Sequence, residues 1–175
     1  FGDKSRSGGG PLIDLGVHVI DLVRYLMGNP QPVSVYGAAF HKLGSRKELK
    51  AARNYVSAEK SDYDVCDVGD SVTALIRFDN GAGLSVETAF CLNMKQDRTS
   101  VELFGTKGGA RLEPDFELYA DMNGHLTNTV LSAEPVLGFD ELFQREIDHY
   151  ISCIADGIPC RAPAEDGAML MKILD

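Results

Sequence analysis

Asp14, His18 and Asp21 are the residues of this chain whose types and spacing are best suited to chemistry. They follow one another at steps of four and three residues, so an α-helix would place all three side chains on one face. Histidine is the side chain that most readily takes and gives a proton near neutral pH. A neighbouring carboxylate can orient the imidazole ring or a bound substrate, so the pattern indicates general acid–base chemistry.

A structural role is the alternative, because titratable pairs also occur in ordinary ion-pair networks. Asp21 has a possible partner in Arg24, three residues further on. The residues alone leave both alternatives open for Asp14 and His18. Three glycines precede the segment, and glycines before a helix let the backbone approach a ligand closely. They favour a binding site, and they make Gly10 a candidate substrate contact.

The element that must position these side chains is a helix from residue 11 to residue 27. Pro11 suits a first helical turn, and Gly28 suits the position just past a helix end. The segment is apolar nearly all round, which predicts a buried helix.

The stretch GGGPLIDLGVHVIDLVRYLMGNP resembles the motif that opens the C-terminal domain of the glucose–fructose oxidoreductase/inositol dehydrogenase/rhizopine catabolism family (Gfo/Idh/MocA). That family has three glycines, an Asp, and a His four residues later, and it adds a lysine from its N-terminal domain. The resemblance implies that His18 is the general acid/base and that Asp14 orients the imidazole or substrate hydroxyls. Asp14, His18 and Gly10 would then contact the substrate.

The composition is that of an ordinary globular protein, with 44% hydrophobic and 25% charged residues among 175. A net charge of −9 argues against nucleic-acid binding, and no apolar run reaches the ~20 residues of a membrane span. The four cysteines lack Cys-x-x-Cys spacing, so neither a zinc site nor a disulfide framework is indicated. We therefore expect reduced thiols in a cytoplasmic protein without a metal. The first residue, Phe1, favours a fragment of a longer protein.

The rest of the chain is read as strands followed by helices. The predicted strands are residues 33–40, 71–78, 84–90, 100–104, 110–113, 116–120 and 126–131, with turns at residues 79–83, 105–109 and 123–124. The Gly-Thr-Lys-Gly-Gly segment is interpreted as a turn rather than a phosphate loop, since it lacks the spacing and the helix of one. Residues 41–67 are interpreted as a solvated insertion, with a short helix near residues 47–55.

Two helices are predicted at the end of the chain, one from Phe139 to the glycine at position 157 and one opening at Pro163. Their aromatic and methionine side chains are interpreted as core. The order of elements predicts an α+β fold, a mainly antiparallel β-sheet with helices packed on one face, in one domain spanning residues 1–175.

The resemblance implies the substrate-binding and oligomerisation domain of an oxidoreductase that uses NAD or NADP on a sugar, cyclitol or related polyol. The chain has no strand–GxGxxG–helix unit, so the dinucleotide-binding domain is expected to be missing. We expect this chain alone to bind neither cofactor and to be inactive.

Assembly is predicted from the surplus of apolar residues on the strands, because large apolar patches mark interfaces. A homodimer or homotetramer through the sheet face is expected. The apolar residues that exceed what packing on one face needs are counted among Val72, Ala74, Ile76, Leu84, Val86 and Leu103.

Two other functions stay open as alternatives. One is a non-catalytic interaction domain that keeps the Asp/His pair for structure. The other is a metal-dependent hydrolase using Asp14, His18 and His41, which is weakly supported because no close third ligand is visible. Asn93, Lys95 and Arg98 could reach a substrate, but no spacing argument supports them.

Overall fold

The computed structural model describes residues 1–44, 65–113, 115–130 and 137–175. The chain divides into two compact units, residues 1–93 with 164–175, and residues 94–163. Each unit is described by itself. The short helix predicted near residues 47–55 lies outside the described residues.

The first unit contains three helices, a π-helical turn and three strands. Along the chain these are α1 (Lys4–Ser7), the π-helical turn (Leu12–Gly16), α2 (Val17–Leu26), β1 (Pro32–Phe40), β2 (Ser71–Phe78), β3 (Gly83–Ala89) and, from the end of the chain, α4 (Ala164–Leu174). The three strands form an antiparallel sheet in the order β1-β2-β3.

The core of this unit lies between the sheet, α2 and α4. Successive side chains of a strand point to opposite faces, and the alternation of β2 places every second residue in the core. The buried cluster comprises Ile20, Ile76, Phe78, Val86, Leu170 and Ile173. The helices therefore cover one face of the sheet, as the α+β prediction requires.

The buried guanidinium of Arg24 links the two helices of this unit. Its Nη2 donates to the Asp166 carboxylate at 3.0 Å, and its Nε donates to the Pro30 carbonyl at 3.0 Å. Only 1% of the Arg24 side chain is exposed. A buried charge requires a partner and hydrogen bonds, and Arg24 obtains them from Asp166 and the backbone through Nη2 and Nε, while its Nη1 has no hydrogen-bond partner among the described residues. The suggested pairing of Arg24 with Asp21 is therefore wrong.

The second unit consists of a four-stranded antiparallel sheet and one helix. Its elements are β4 (Val101–Phe104), β5 (Gly108–Glu113), β6 (Glu117–Met122), β7 (His125–Val130) and α3 (Phe139–Asp156), with the strands in sequential order. The turns predicted from Asn-Gly pairs are confirmed. Asn123 and Gly124, for example, adopt the left-handed conformation between β6 and β7.

The Gly-Thr-Lys-Gly-Gly segment is a turn, as predicted. The Gly105 N–H donates to the Gly108 carbonyl at 2.8 Å and closes the connection between β4 and β5. The helix that a phosphate loop needs does not follow, because the chain continues directly into β5.

The apolar side chains of α3 do not form a core, and this prediction is wrong. None of its residues is buried, and Phe139, Tyr150 and Ile154 are 78%, 62% and 67% exposed. Helical spacing reveals an apolar face but not what covers it.

The six apolar strand residues on which the assembly prediction was based lie mainly toward the interior. Ala74, Ile76 and Val86 are buried in the core, and the other three are half-buried. The exposed apolar residues of the first sheet belong to its opposite face, where Tyr36 and Leu75 lie directly across from each other in β1 and β2. The helices of the first unit therefore cover Ile76 and Val86, and assembly through a sheet face stays a prediction.

Candidate functional site

The helix predicted from residue 11 to residue 27 begins with a π-helical turn. In Leu12–Gly16 the backbone is wider than in an α-helix, and the Val17 N–H donates to the Leu12 carbonyl five residues back. The regular α-helix starts only at Val17. Asp14 therefore lies in the π turn, and His18 lies in the first turn of α2. Single π turns of this kind are frequent at functional sites.

The π turn is held against β3 by close packing at Gly16. A Cβ at Gly16 would come within 2.9 Å of the Leu12 Cδ1 atom and 3.4 Å of the Thr88 Cγ2 atom. The Thr88 hydroxyl also donates to the Pro11 carbonyl at 3.2 Å. The backbone that carries Asp14 is thus fixed to the sheet at both ends of the turn.

The glycine run has a structural explanation. Gly8 ends α1 in the left-handed conformation, with φ of +79°, and its N–H donates to the Lys4 carbonyl. A Cβ at Gly10 would lie 2.8 Å from the Gly69 carbonyl oxygen, so a side chain here would displace backbone. The Gly10 carbonyl accepts hydrogen bonds from Ile13 and Asp14 and starts the helical segment.

The helix itself is less buried than its composition predicted. Ile20, Val23 and Arg24 are buried, but Leu15, Leu22 and Leu26 are between 41% and 45% exposed. Only one side of the helix packs on the sheet. The expectation of a helix buried all round is wrong.

Asp14 is half-buried and His18 is exposed at the surface of this helix. Within the described ranges, neither side chain makes a hydrogen bond or an ion pair to another protein group. The two residues are four positions apart, but no hydrogen bond joins the carboxylate to the imidazole. Asp21 is exposed as well. Both proposed reactive groups are thus left available to a ligand.

Asp70 is a buried carboxylate that the sequence pattern did not single out. It is 4% exposed, and it accepts hydrogen bonds from the backbone N–H groups of Lys42, Leu43 and Gly44. Burial alone would raise the pKa of the Asp70 carboxyl, but the three N–H donors outweigh it and hold this pKa below its usual range. Asp70 thereby ties the end of β1 to the start of β2.

The third candidate ligand of the hydrolase alternative, His41, is exposed. Among the residues that the structure describes, no metal-type grouping includes Asp14, His18 or His41. Asn93, Lys95 and Arg98 also lie in an exposed stretch. The described residues therefore give no support to a metal site at His41.

A second cluster consists of side chains that could bind a metal ion. It was not predicted from the sequence, because it does not have Cys-x-x-Cys spacing. His149, Cys153 and Cys160 bring one nitrogen and two sulfurs within 4.8 Å of one another. Their spacing, His-x3-Cys-x6-Cys, places two members one helical turn apart.

Among the described helices, none is long and apolar enough to cross a membrane.

Comparison with known proteins gives consistent matches. A family model described as the GFO/IDH/MocA C-terminal domain matches residues 1–111. The chain is 33% identical over 175 residues to D-glucoside 3-dehydrogenase of Escherichia coli K12, covering 99% of this chain and 47% of that protein. Levoglucosan dehydrogenase of Pseudarthrobacter phenanthrenivorans is 33% identical over 109 residues, covering 60% of this chain and 27% of that enzyme.

Solved structures share the fold. Levoglucosan dehydrogenase in complex with NADH superposes with a TM-score of 0.76 at 24% identity, covering 99% of this chain and 48% of that chain. An oxidoreductase domain protein from Kribbella flavida gives the same TM-score at 22% identity, covering 99% and 49%. The chain spans less than half the length of either curated relative.

Proposed function

The chain belongs to the GFO/IDH/MocA family as its C-terminal domain, and on that premise we propose that it is the substrate-binding half of a nicotinamide-dependent sugar oxidoreductase. The substrate would be a sugar, a cyclitol or a related polyol. Two relatives that match the chain are named for a D-glucoside and for levoglucosan, which are both carbohydrates. The proposal extends that substrate class, and not a particular sugar, to this protein.

The observation that carries the proposal is that Asp14 and His18 have no hydrogen-bonding or ionic partner among the described residues. Polar groups kept for stability are normally paired, because an unpaired buried group costs free energy. Asp14 is half-buried, and neither it nor His18 has a protein partner within the described ranges. The π turn and the Thr88 hydrogen bond nevertheless hold this backbone in one arrangement. A fixed and unpaired acid–base pair is what a hydroxyl-bearing substrate requires.

In the proposed reaction, His18 takes the proton of a substrate hydroxyl while a hydride leaves the carbon atom that bears this hydroxyl. The nicotinamide cofactor, NAD or NADP, supplies the hydride acceptor when it is bound. Asp14 accepts a hydrogen bond from a second substrate hydroxyl or from the imidazole, and it thereby orients the reacting oxygen toward His18. In the reverse direction, His18 returns the proton to the carbonyl oxygen.

The cofactor does not fit the described part of this chain. Both sheets are antiparallel throughout, and no strand leads through a glycine-rich turn into a helix that could bind the pyrophosphate. We therefore assign cofactor binding to a domain outside this chain. The carbohydrate and the proton transfer are assigned to this chain.

We further propose that the protein assembles through the outer face of the first sheet. Tyr36 and Leu75 are 81% and 57% exposed and face each other across β1 and β2. A second copy of the chain would cover them and give a homodimer or homotetramer. The same exposed face is the observation that favours the alternative, a non-catalytic interaction domain.

A dehydrogenase assay of the full-length protein separates these functions. Glucosides, an anhydrosugar, inositols and linear polyols are offered with NAD or NADP, and formation of the reduced cofactor is followed by absorbance. We expect turnover with at least one carbohydrate. A full-length protein that binds its cofactor yet oxidises no member of the panel would favour the interaction domain.

A further inference from the structure

The imidazole of His149 and the thiols of Cys153 and Cys160 converge at the end of α3. The His149 Nε2 atom lies 3.5 Å from the Cys153 sulfur, and all three ligand-type atoms lie within 4.8 Å of one another. Among the described residues this is the only group of three or more such side chains. It lies wholly in the second unit, and the proposed dehydrogenase chemistry does not use it.

The local sequence builds this cluster in two steps. His149 and Cys153 are four residues apart on α3, so they lie one above the other on the same face. Gly157 then ends the helix in the left-handed conformation, with φ of +66°, and reverses the chain. The reversal returns Cys160 and the Arg161 N–H to the face that carries His149.

The Arg161 backbone contacts the imidazole of His149. The Arg161 N–H donates to His149 Nε2 at 3.0 Å. A nitrogen that accepts a hydrogen bond presents its lone pair to the donor. An unprotonated imidazole nitrogen is the form that binds a metal. Arg161 is exposed, so its N–H can turn to water if a metal takes the lone pair.

The distance between the His149 nitrogen and the Cys153 sulfur is close to that between two ligands of a tetrahedral zinc site. Zinc binds imidazole nitrogen at about 2.05 Å and thiolate sulfur at about 2.3 Å, so the nitrogen and sulfur of two tetrahedral ligands lie about 3.6 Å apart. The observed separation of the His149 nitrogen and the Cys153 sulfur is 3.5 Å. The Cys160 sulfur lies within 4.8 Å of both of these atoms, and its side chain is exposed.

From this geometry we propose that His149, Cys153 and Cys160 form a zinc-binding site with a fourth position open to solvent. Two thiolates and one imidazole are ligands suited to Zn²⁺. Burial raises the pKa of the Cys153 thiol, and the neighbouring Cys160 raises it further, while Arg161 lowers it. Zinc binds the thiolate form of cysteine, so binding at this site releases thiol protons to solvent.

The test is a titration of the reduced full-length protein with Zn²⁺ in the presence of a chromophoric chelator, repeated with Co²⁺. We expect one ion per chain and, with Co²⁺, an absorption band from thiolate-to-metal charge transfer. Cys160→Ser and His149→Gln should each weaken zinc binding by at least about 10-fold. Loss of a residue that only hydrogen-bonds to a metal ligand already costs about 10–100-fold in metal affinity. Cys91→Ser, at an exposed cysteine outside the cluster, should leave the binding unchanged.

Three results would overturn the proposal. They are no competition with the chelator at micromolar zinc, equal binding by the Cys160→Ser variant, and a Cys153–Cys160 disulfide that forms in place of metal binding. Cys160 is exposed, so its replacement by serine should leave the melting temperature unchanged. Loss of zinc binding with an unchanged melting temperature therefore supports the site, and it does so whether or not the dehydrogenase proposal holds.

Discussion

The Thr88 hydroxyl in β3 donates a hydrogen bond to the Pro11 carbonyl, 3.2 Å away, at the point where the π-helical turn begins. The same side chain places its methyl group 3.4 Å from the position that a Cβ at Gly16 would occupy. One residue of the sheet thus contacts both ends of the turn that carries Asp14. The position of the proposed catalytic carboxylate depends on this contact between β3 and the turn.

Thr88→Val should lower the free energy of unfolding by about 0.5–1.5 kcal/mol, because it removes the hydrogen bond and keeps the shape of the side chain. Denaturant titration of the full-length protein measures the change. Thr73→Val is the matched control, since Thr73 is exposed on β2, and it should change stability by less than about 0.5 kcal/mol. Equal effects of the two substitutions would contradict the role given to Thr88.

Gly10→Ala should destabilise the protein by about 1–3 kcal/mol, because the new methyl group would press on the Gly69 carbonyl oxygen. Gly167→Ala in α4 is the control. A Cβ there meets nothing within 4 Å. In a helix interior, alanine stabilises the protein by about 0.5–1 kcal/mol relative to glycine. Melting temperatures of both variants should therefore move in opposite directions. A Gly10→Ala protein as stable as the parent would show that the approach to Gly69 is not tight.

Asp70→Asn should make the free energy of unfolding fall less steeply as the pH is lowered. The pKa of Asp70 is lower in the folded than in the unfolded chain. Its contribution is therefore fully present above the unfolded pKa of about 3.9 and is lost as the pH falls through the folded pKa. Unfolding is measured by denaturant titration from pH 6 downward. The variant should be less stable near neutral pH, and its stability should fall less with acid. Asp156→Asn, at an exposed carboxylate, should keep the slope of the parent.

Tyr36→Glu with Leu75→Glu should dissociate the proposed assembly, because burying carboxylates in an interface is costly. Light scattering of the full-length protein should give a dimer or tetramer for the parent and a single-chain mass for the variant. Leu126→Glu is the control, since Leu126 is an 89% exposed leucine of the second unit. A monomeric parent at micromolar concentration would refute assembly through this face.

Local sequence patterns were sufficient to predict most elements of this fold. Asn-Gly and glycine-rich turns marked the hairpins, and Gly157 marked the end of α3, because backbone conformation at these positions depends on the residue itself. The π turn was not predicted, and its Gly16 packs beside Thr88, a residue far away in the sequence. Arg24 also found its partner in Asp166, which lies 142 positions further along the chain.

The roles of Asp14 and His18 stay predictions, and the surroundings of these two residues differ from what the sequence indicated. Spacing and the resemblance singled out Asp14 and His18, but the exposure of the helix around them follows from packing on one side only. The N–H donors around Asp70 come from residues 42–44, and Cys160 reaches His149 only after the chain reversal at Gly157. Such groupings carry no periodic signal, so fixed motifs do not reveal them.

The most direct test of the catalytic proposal compares turnover and melting temperature for His18→Ala and Asp14→Asn in the full-length protein. His18 is exposed, so its truncation should leave the melting temperature nearly unchanged while turnover falls by about 10²–10⁴-fold, the usual contribution of a positioned acid or base. Asp14→Asn keeps the shape and removes the charge, so it should slow the reaction as well. A His18→Ala protein that melts early yet turns over at the parent rate would contradict the catalytic role.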